Sequence, residues 1–438
     1  MTTARSEWAS LSGVSAAIVR PIGRRISGAV ALPGSKSFTN RALIIAACAR
    51  GTSTLTGVLR SDDSYWCMDA LRKLGVAIAE DGETIRVTGP GAWSETDAPL
   101  YIGSAGTTGR FLTSVIALSA QSPVTITASE QLSRRPMRAL FEALTTLGAQ
   151  IRYEGEPGCF PVRIFPGGPG EWEVSVSGSQ SSQFISGLLM AAPLMRHPVE
   201  IRITDHIVQA DYVRITLEVL RAFGVRIESS PAFDRFYVNP QPFEPANYAV
   251  EADASTATYF HAMAAALGEI TVTNLNLKTT QPDIAFLEVL EKMGCLIGGA
   301  TVSGPTKLRG GFSIDMRAFS DSTLTLAALA PFADAPIEIT GVEHIRHHES
   351  DRVGVIARTL SDLGVPVEER RDGLRISPAV PRFGRVETHD DHRVAMSMAV
   401  LGLAGSGVEL TDPGCVSKTC PNFFELIETL GAQVAVVR

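Results

Sequence analysis

Residues 29–32 form a short apolar run that stops at Pro33-Gly34. Polar Ser35, Lys36, Ser37, Thr39, Asn40 and Arg41 come next and lead into apolar positions at helical spacing over residues 42–49. The pattern predicts a strand, a turn and a helix. A second cycle follows, with a strand over 53–58, an amphipathic helix over 62–74 and strands near 76–78 and 85–87. The whole unit reads β-α-β-α-β-β.

The unit recurs. A bulky apolar residue, a glycine and a small or apolar residue close each amphipathic helix, with glycines at 75, 148, 224, 294, 364 and 431. Their spacings are 73, 76, 70, 70 and 67 residues. A glycine in this place is expected to lie just past a helix end, where positive φ is needed. A period near 70 is too long for a solenoid and suits a small αβ subdomain. Six copies predict two domains of three units each. The expected division is 1–15 as a disordered lead-in, 28–248 as one domain, and 16–27 plus 249–438 as the other. The apolar run 16–19 has no partner in the first unit, so it is expected to cross over and pair in the second domain.

Composition narrows the class. The chain has 438 residues, 45% hydrophobic and 19% charged, with a formal charge of −7. That balance is globular and argues against a nucleic-acid binder. No apolar run approaches the roughly 20 residues needed to span a bilayer. The start lacks the basic and apolar regions of a secretory signal. Six cysteines without a CxxC pair predict reduced thiols in a cytoplasmic protein.

Chemistry-bearing residues fall at corresponding places in the repeats, mostly where a first helix begins. They are Lys36, Ser37 and Arg41; the segment Gly103-Ser104-Ala105-Gly106-Thr107-Thr108-Gly109-Arg110, with Arg135; Ser181-Ser182-Gln183; Asp253; Asp321, with 346–352; and Asp390-Asp391-His392-Arg393, with Lys418. Helix starts carry unpaired N–H groups and a positive dipole end, which favour phosphate or carboxylate. Arginine forks suit the same anions. The recurrence predicts that the helix starts converge on one anion-binding cleft.

In order along nearly the whole chain, these motifs resemble the 5-enolpyruvylshikimate-3-phosphate synthase family. The residues that carry the resemblance are Pro-Gly-Ser-Lys-Ser-x-x-Asn-Arg, Gly-x-Ala-Gly-Thr-x-x-Arg, Ser-Ser-Gln-Phe, Glu-Ser-Asp-Arg, Asp-Asp-His-Arg-x-Ala-Met and the late Lys-Thr. The resemblance implies an α/β fold of two domains, each an inside-out α/β barrel of three β-α-β-α-β-β units with inward helices, and an active site in the interdomain cleft. It implies transfer of the enolpyruvyl group of phosphoenolpyruvate to the 5-hydroxyl of shikimate 3-phosphate with release of phosphate, without metal or organic cofactor, by a monomer that glyphosate targets. Shikimate 3-phosphate is implied to meet Lys36, Ser37, Arg41, Ser181, Ser182, Gln183, Tyr212, Asp321 and His348. Phosphoenolpyruvate is implied to meet Lys36, Gly106, Thr107, Arg135, Gln183, Arg352, Arg393 and Lys418. Asp321 is implied as the base at the hydroxyl and Glu349 as the proton carrier at the methylene carbon, with Lys36 and His392 assisting.

The chemistry asks for this inventory. Two anionic substrates need cations to hold them at attack distance, and addition across an enol ether needs a base at oxygen and an acid at carbon. The chain departs from the family pattern in having His348 for a common Lys, Gln209 for a common Ser, Ser104 for a common Asn and Phe111 for a common Pro. Two alternatives stay open. One is an enolpyruvyl transferase with a different hydroxyl acceptor. The sister activity on a UDP-sugar is disfavoured, because the stretch 129–135 lacks that family's cysteine. The other is a metal-dependent hydrolase built on His344, His347, His348, His389, Asp390, Asp391 and His392.

Overall fold

The computed structural model describes residues 4–438. The chain divides into two compact units, one of residues 4–7 with Gly34–Val250 and one of Trp8–Pro33 with Glu251–Arg438. Six four-stranded sheets are present among the described residues, three per unit. All share one plan. The first strand of a repeat lies parallel to the second, the second antiparallel to the fourth, and the fourth antiparallel to the third; Leu100–Tyr101, Val124–Thr127, Val162–Phe165 and Gln150–Tyr153 show it in full.

The run Ala16–Val19 does cross over. It fills the fourth-strand place of the last sheet, antiparallel to Val408–Thr411 and to Val434–Val437. The first-strand places of repeats one and four differ from the sequence reading. Ile26–Val30 pairs parallel with Gly268–Val272 and so completes repeat four. Asn247–Ala249 pairs parallel with Gly51–Thr56 and completes repeat one. The two strands exchange sheets, so the division falls at 33/34 and 250/251 rather than at 27/28 and 248/249.

The lead-in also departs from expectation. The backbone N–H and hydroxyl of Ser6 donate to Asp62 Oδ1 at 2.7 and 2.6 Å, and Ser6 is buried. Trp66 Nε1 donates to the Ala4 carbonyl at 2.9 Å, and Ser15 N donates to the Val437 carbonyl at 2.9 Å. Polar residues suggest disorder in a sequence, but here Ser6 donates to a buried carboxylate and Ala4 and Ser15 are tied by backbone bonds.

Two kinds of helix divide the labour. The first helices of the repeats, such as Lys36–Cys48, Gly106–Ser119, Ala254–Leu267 and His392–Ala404, are buried on nearly every face along most of their length, polar residues included. A helix of that kind belongs in a core. The second helices, such as Asp62–Lys73, Asp211–Ala222 and Arg352–Asp362, are amphipathic and keep an exposed face. Each of these ends at a repeat glycine. Gly75, Gly148, Gly224, Gly294, Gly364 and Gly431 have φ between +80° and +95°. In each copy the glycine N–H and the next N–H turn back to the helix, as in Gly75 N to Arg72 O and Val76 N to Leu71 O. These paired bonds satisfy carbonyls that the helix end would leave orphaned.

Candidate active site

In the first unit, Lys36 and Ser37 open the helix Lys36–Cys48, whose N-cap Ser35 makes no side-chain cap bond. Lys36 Nζ lies 3.7 Å from Asp63 Oδ2, a carboxylate buried in the first turn of Asp62–Lys73. Arg41 is buried and its fork is spent on the protein. Nε donates to Thr216 Oγ1 at 2.7 Å, Nη1 to the Ser37 carbonyl at 2.8 Å, and Nη2 to the Tyr212 carbonyl at 3.0 Å and Ser186 Oγ at 3.3 Å. Its guanidinium lies over the Phe111 ring at 4.7 Å. Burial lowers its pKa to about 9, so it stays cationic at neutral pH. One Nη1 hydrogen is left by this accounting.

Gly106 opens the helix Gly106–Ser119, again with no side-chain cap. A Cβ built on Gly106 would stand 2.6 Å from Arg110 Nη1 and 2.8 Å from Arg135 Nη1. Two guanidiniums therefore close over the bare glycine, and Thr107 is buried beside it. Arg110 Nη1 also donates to Gln183 Oε1 at 3.0 Å. Ser181 caps the helix Ser182–Ala191 by accepting from Gln183 N. Gly106, Arg110, Arg135 and Gln183 thus form one cluster. Tyr212 is buried near the start of Asp211–Ala222, beside Gln209, which has φ +50°. Gln209 Nε2 is buried without a hydrogen-bond partner among the described residues.

In the second unit, the buried guanidinium of Arg352 organises everything. Nε and Nη2 grip the two oxygens of Asp391 at 2.8 and 3.1 Å. Nη2 also donates to Glu349 Oε2 at 2.8 Å, and Nη1 to Asp321 Oδ1 at 3.2 Å. Burial alone would lower the Arg352 pKa, but Asp391, Glu349 and Asp321 outweigh it and raise it well above the usual range. Arg393 Nη2 holds the other Asp321 oxygen at 2.8 Å, and Arg393 Nη1 meets Tyr259 OH at 3.3 Å. Lys418 Nζ lies 3.4 Å from Glu349 Oε1. Asp321 and Glu349 are therefore each shared between Arg352 and a second cation. Asp283 sits behind, accepting from the hydroxyls of Ser255 and Ser322. Burial, aided by the Asp321 charge, pushes its carboxyl up to about 6.

The geometry sharpens several sequence expectations. Arg352 Nη1 lies 3.1 Å from His348 Nδ1. A guanidinium only donates, so the His348 ring nitrogen is the acceptor in this contact. The His392 ring is wholly buried, with Nδ1 3.8 Å from Asp391 Oδ1. The starts of the first helices are not alike. Lys36–Cys48 and Gly106–Ser119 lack side-chain caps, whereas Ser181, Asp253 and Asp391 cap theirs. Asp63, in the first unit, and Tyr259 and Asp283, in the second, partner these residues although no sequence motif marks them, whereas Asp391 belongs to the Asp-Asp-His-Arg run. Among the described residues no group of three or more His, Cys, Asp or Glu is placed to share a metal ion. No helix among them is long and apolar enough to cross a membrane.

Cation-clamped carboxylates in one unit, and lysine and arginine gathered at open helix starts in the other, equip an enzyme that handles small anionic substrates. A family model described as EPSP synthase (3-phosphoshikimate 1-carboxyvinyltransferase) matches residues 21–427. The chain is 47% identical over 439 residues to 3-phosphoshikimate 1-carboxyvinyltransferase 2 of Halalkalibacterium halodurans, covering 98% of each. It is 41% identical over 410 residues to the 3-phosphoshikimate 1-carboxyvinyltransferase of Methanosphaerula palustris, covering 91% of this chain and 96% of the relative. The solved EPSP synthase of Acinetobacter baumannii superposes with a TM-score of 0.80 at 25% identity, covering 97% of this chain and all of the other. The chain belongs to the EPSP synthase family.

Proposed function

We propose that this chain transfers the enolpyruvyl group of phosphoenolpyruvate to the 5-hydroxyl of shikimate 3-phosphate, releasing phosphate, as a cytoplasmic monomer on the route to aromatic amino acids. The observation that carries the reading is the shared clamp: Asp321 and Glu349 both rest on Arg352, and each has a second cation.

Lys36, Ser37, Arg41, Ser181, Ser182, Gln183 and Tyr212 hold shikimate 3-phosphate, and the buried amide of Gln209 donates to its phosphate. Lys36, Gly106, Thr107, Arg135, Gln183, Arg352, Arg393 and Lys418 hold phosphoenolpyruvate. Arriving anions compete with Asp321 and Glu349 for the guanidiniums of Arg352 and Arg393. As those cations turn to substrate, Asp321 is freed to take the proton of the 5-hydroxyl. The hydroxyl oxygen bonds to C2 of phosphoenolpyruvate while Glu349, protonated in the reacting complex, delivers its proton to C3. The resulting ketal carries both the new ether and the phosphate. Glu349 takes a C3 proton back as the C2–O bond to phosphate breaks and the double bond re-forms, and the departing phosphate takes the proton held by Asp321, with Lys36, Arg393 and Lys418 stabilising charge on the leaving group. Positioning and charge stabilisation supply most of the acceleration.

Phosphate release tests the reading. It is expected only when both substrates are present, and glyphosate is expected to compete with phosphoenolpyruvate. Release from phosphoenolpyruvate with another hydroxyl acceptor, but not with shikimate 3-phosphate, would transfer the proposal to that acceptor. Asp321→Ala is expected to cut kcat about a hundredfold or more, the scale of a lost general base; a near-normal rate would remove Asp321 from the mechanism.

A further inference from the structure

Residues 4–6 make a set of contacts that the chemistry above does not use. Asp62 and Asp63 are both buried in the first turn of Asp62–Lys73, behind a capping box of Ser61 and Ser64. Their fates divide. Asp63 faces Lys36 at 3.7 Å. Asp62 faces the arm: Ser6 supplies two donors to Oδ1, and Arg5 Nη1 lies 3.7 Å from Oδ2. One turn on, the Trp66 indole donates to the Ala4 carbonyl. The five-membered ring of that indole also lies against the glycine-rich segment. A Cβ on Gly103 would stand 2.4 Å from Trp66 Cδ1 and 2.7 Å from Nε1, and the indole meets Tyr101 edge-on at 4.9 Å. Gly103 O and Ser104 Oγ bind Ser129 at 2.9 and 2.7 Å, which fixes the approach to Gly106.

We propose that residues 4–6 are positioning residues for the phosphoenolpyruvate side of the site. Through Asp62 they balance one of two adjacent buried carboxylates, leaving Asp63 to orient Lys36. Through Trp66 they brace the segment that presents Gly106. The inference rests on the substrate assignment above, and it does not follow from that assignment. Two adjacent carboxylates without the arm would repel one another and draw Lys36 toward both, away from an incoming anion.

Three full-length variants test it. Ser6→Pro removes both donors to Asp62, Trp66→Phe removes the indole donor while keeping a ring, and Ser6→Thr keeps both donors at position 6. Ser6→Pro and Trp66→Phe are expected to raise the KM for phosphoenolpyruvate about fivefold or more with kcat within about twofold, as when a binding group shifts by a fraction of an ångström. Ser6→Thr is expected to match the parent. Hydrogen exchange at amides 36–39 and 103–107 is expected to quicken in Ser6→Pro while amides of Asp211–Ala222 keep the parent's rates. That measurement reads the brace whether or not the enzyme turns over. A parent that releases no phosphate while this local exchange appears would sink the substrate assignment and keep the brace. Unchanged KM and unchanged local exchange would overturn the inference, as would exchange quickened throughout the first unit.

Discussion

Replacing Arg352 by methionine removes the cation on which three carboxylates lean, but the structure assigns the loss unequally. Glu349 keeps Lys418 at 3.4 Å and Asp321 keeps Arg393 at 2.8 Å. Asp391, whose side chain is fully buried, loses both guanidinium bonds and keeps the Ser350 hydroxyl at 2.9 Å and the Arg393 N–H at 3.0 Å. Breaking a buried pair by removing one partner costs about 3–5 kcal/mol. For a unit of this size, that amounts to a fall of roughly 6–20 °C in its unfolding transition, at about 2–4 °C per kcal/mol. Asp391→Leu leaves Arg352 with Glu349 and Asp321, but it also removes an N-cap worth about 1 kcal/mol. The double variant has no stranded Asp391 charge, so it is expected to be more stable than the sum of the singles predicts by about 1 kcal/mol or more. Urea unfolding followed by circular dichroism, with calorimetry alongside, measures all four proteins. Arg352→Met within about 1 kcal/mol of the parent, or a strictly additive double variant, would refute the reasoning.

Two further outcomes are expected. Gly148→Ala places a Cβ 2.5 Å from the Gly168 carbonyl at φ +95°, whereas Gly294→Ala meets nothing closer than Arg309 Nε at 3.4 Å at φ +92°. The second variant is expected to lose about 1–2 kcal/mol from the left-handed backbone alone and the first measurably more, by urea titration; equal losses would show that the contact does not matter. Asp283, raised to about 6 in the folded state, binds its proton more tightly than the unfolded chain does, near about 3.9. Its contribution is full below about pH 4 and is lost as pH rises through 6. Asp283→Asn is therefore expected to gain stability relative to the parent between pH 4.5 and 7, and a pH-independent difference in urea unfolding would contradict the assignment.

Much of this architecture was legible because one local device recurs. A glycine after an amphipathic helix has one economical use, and all six glycines took it. The crossing of Ala16–Val19 was legible because an apolar strand without a neighbour must find one. The exchange of Ile26–Val30 and Asn247–Ala249 was not, since both strands fit the same place in the same plan and local pattern cannot choose between them. At the site, motif residues such as Arg352, Asp321 and Lys418 stood out. Asp63 and Asp391 both lie at helix starts, and each also pairs with a cation from another helix: Asp63 with Lys36 of the same repeat, Asp391 with Arg352 of the repeat before.

Strand Ala16–Val19 has a consequence for how the chain is made. Its partners are Val408–Thr411 and Val434–Val437, so an early-translated piece waits for nearly the last. At ribosomal speeds of about 5–20 residues per second, that delay is on the order of 20–80 s. Ile26–Val30 waits for Gly268–Val272 over a shorter span. The repeats nearest the start can be finished on the ribosome once Asn247–Ala249 emerges. The sheets of repeats four and five can close as Thr301–Ser303 and Gly373–Ile376 emerge, and only the last sheet stays open until Val434–Val437 is made, which makes nascent-chain handling, rather than final stability, the step most exposed to chaperones and proteases.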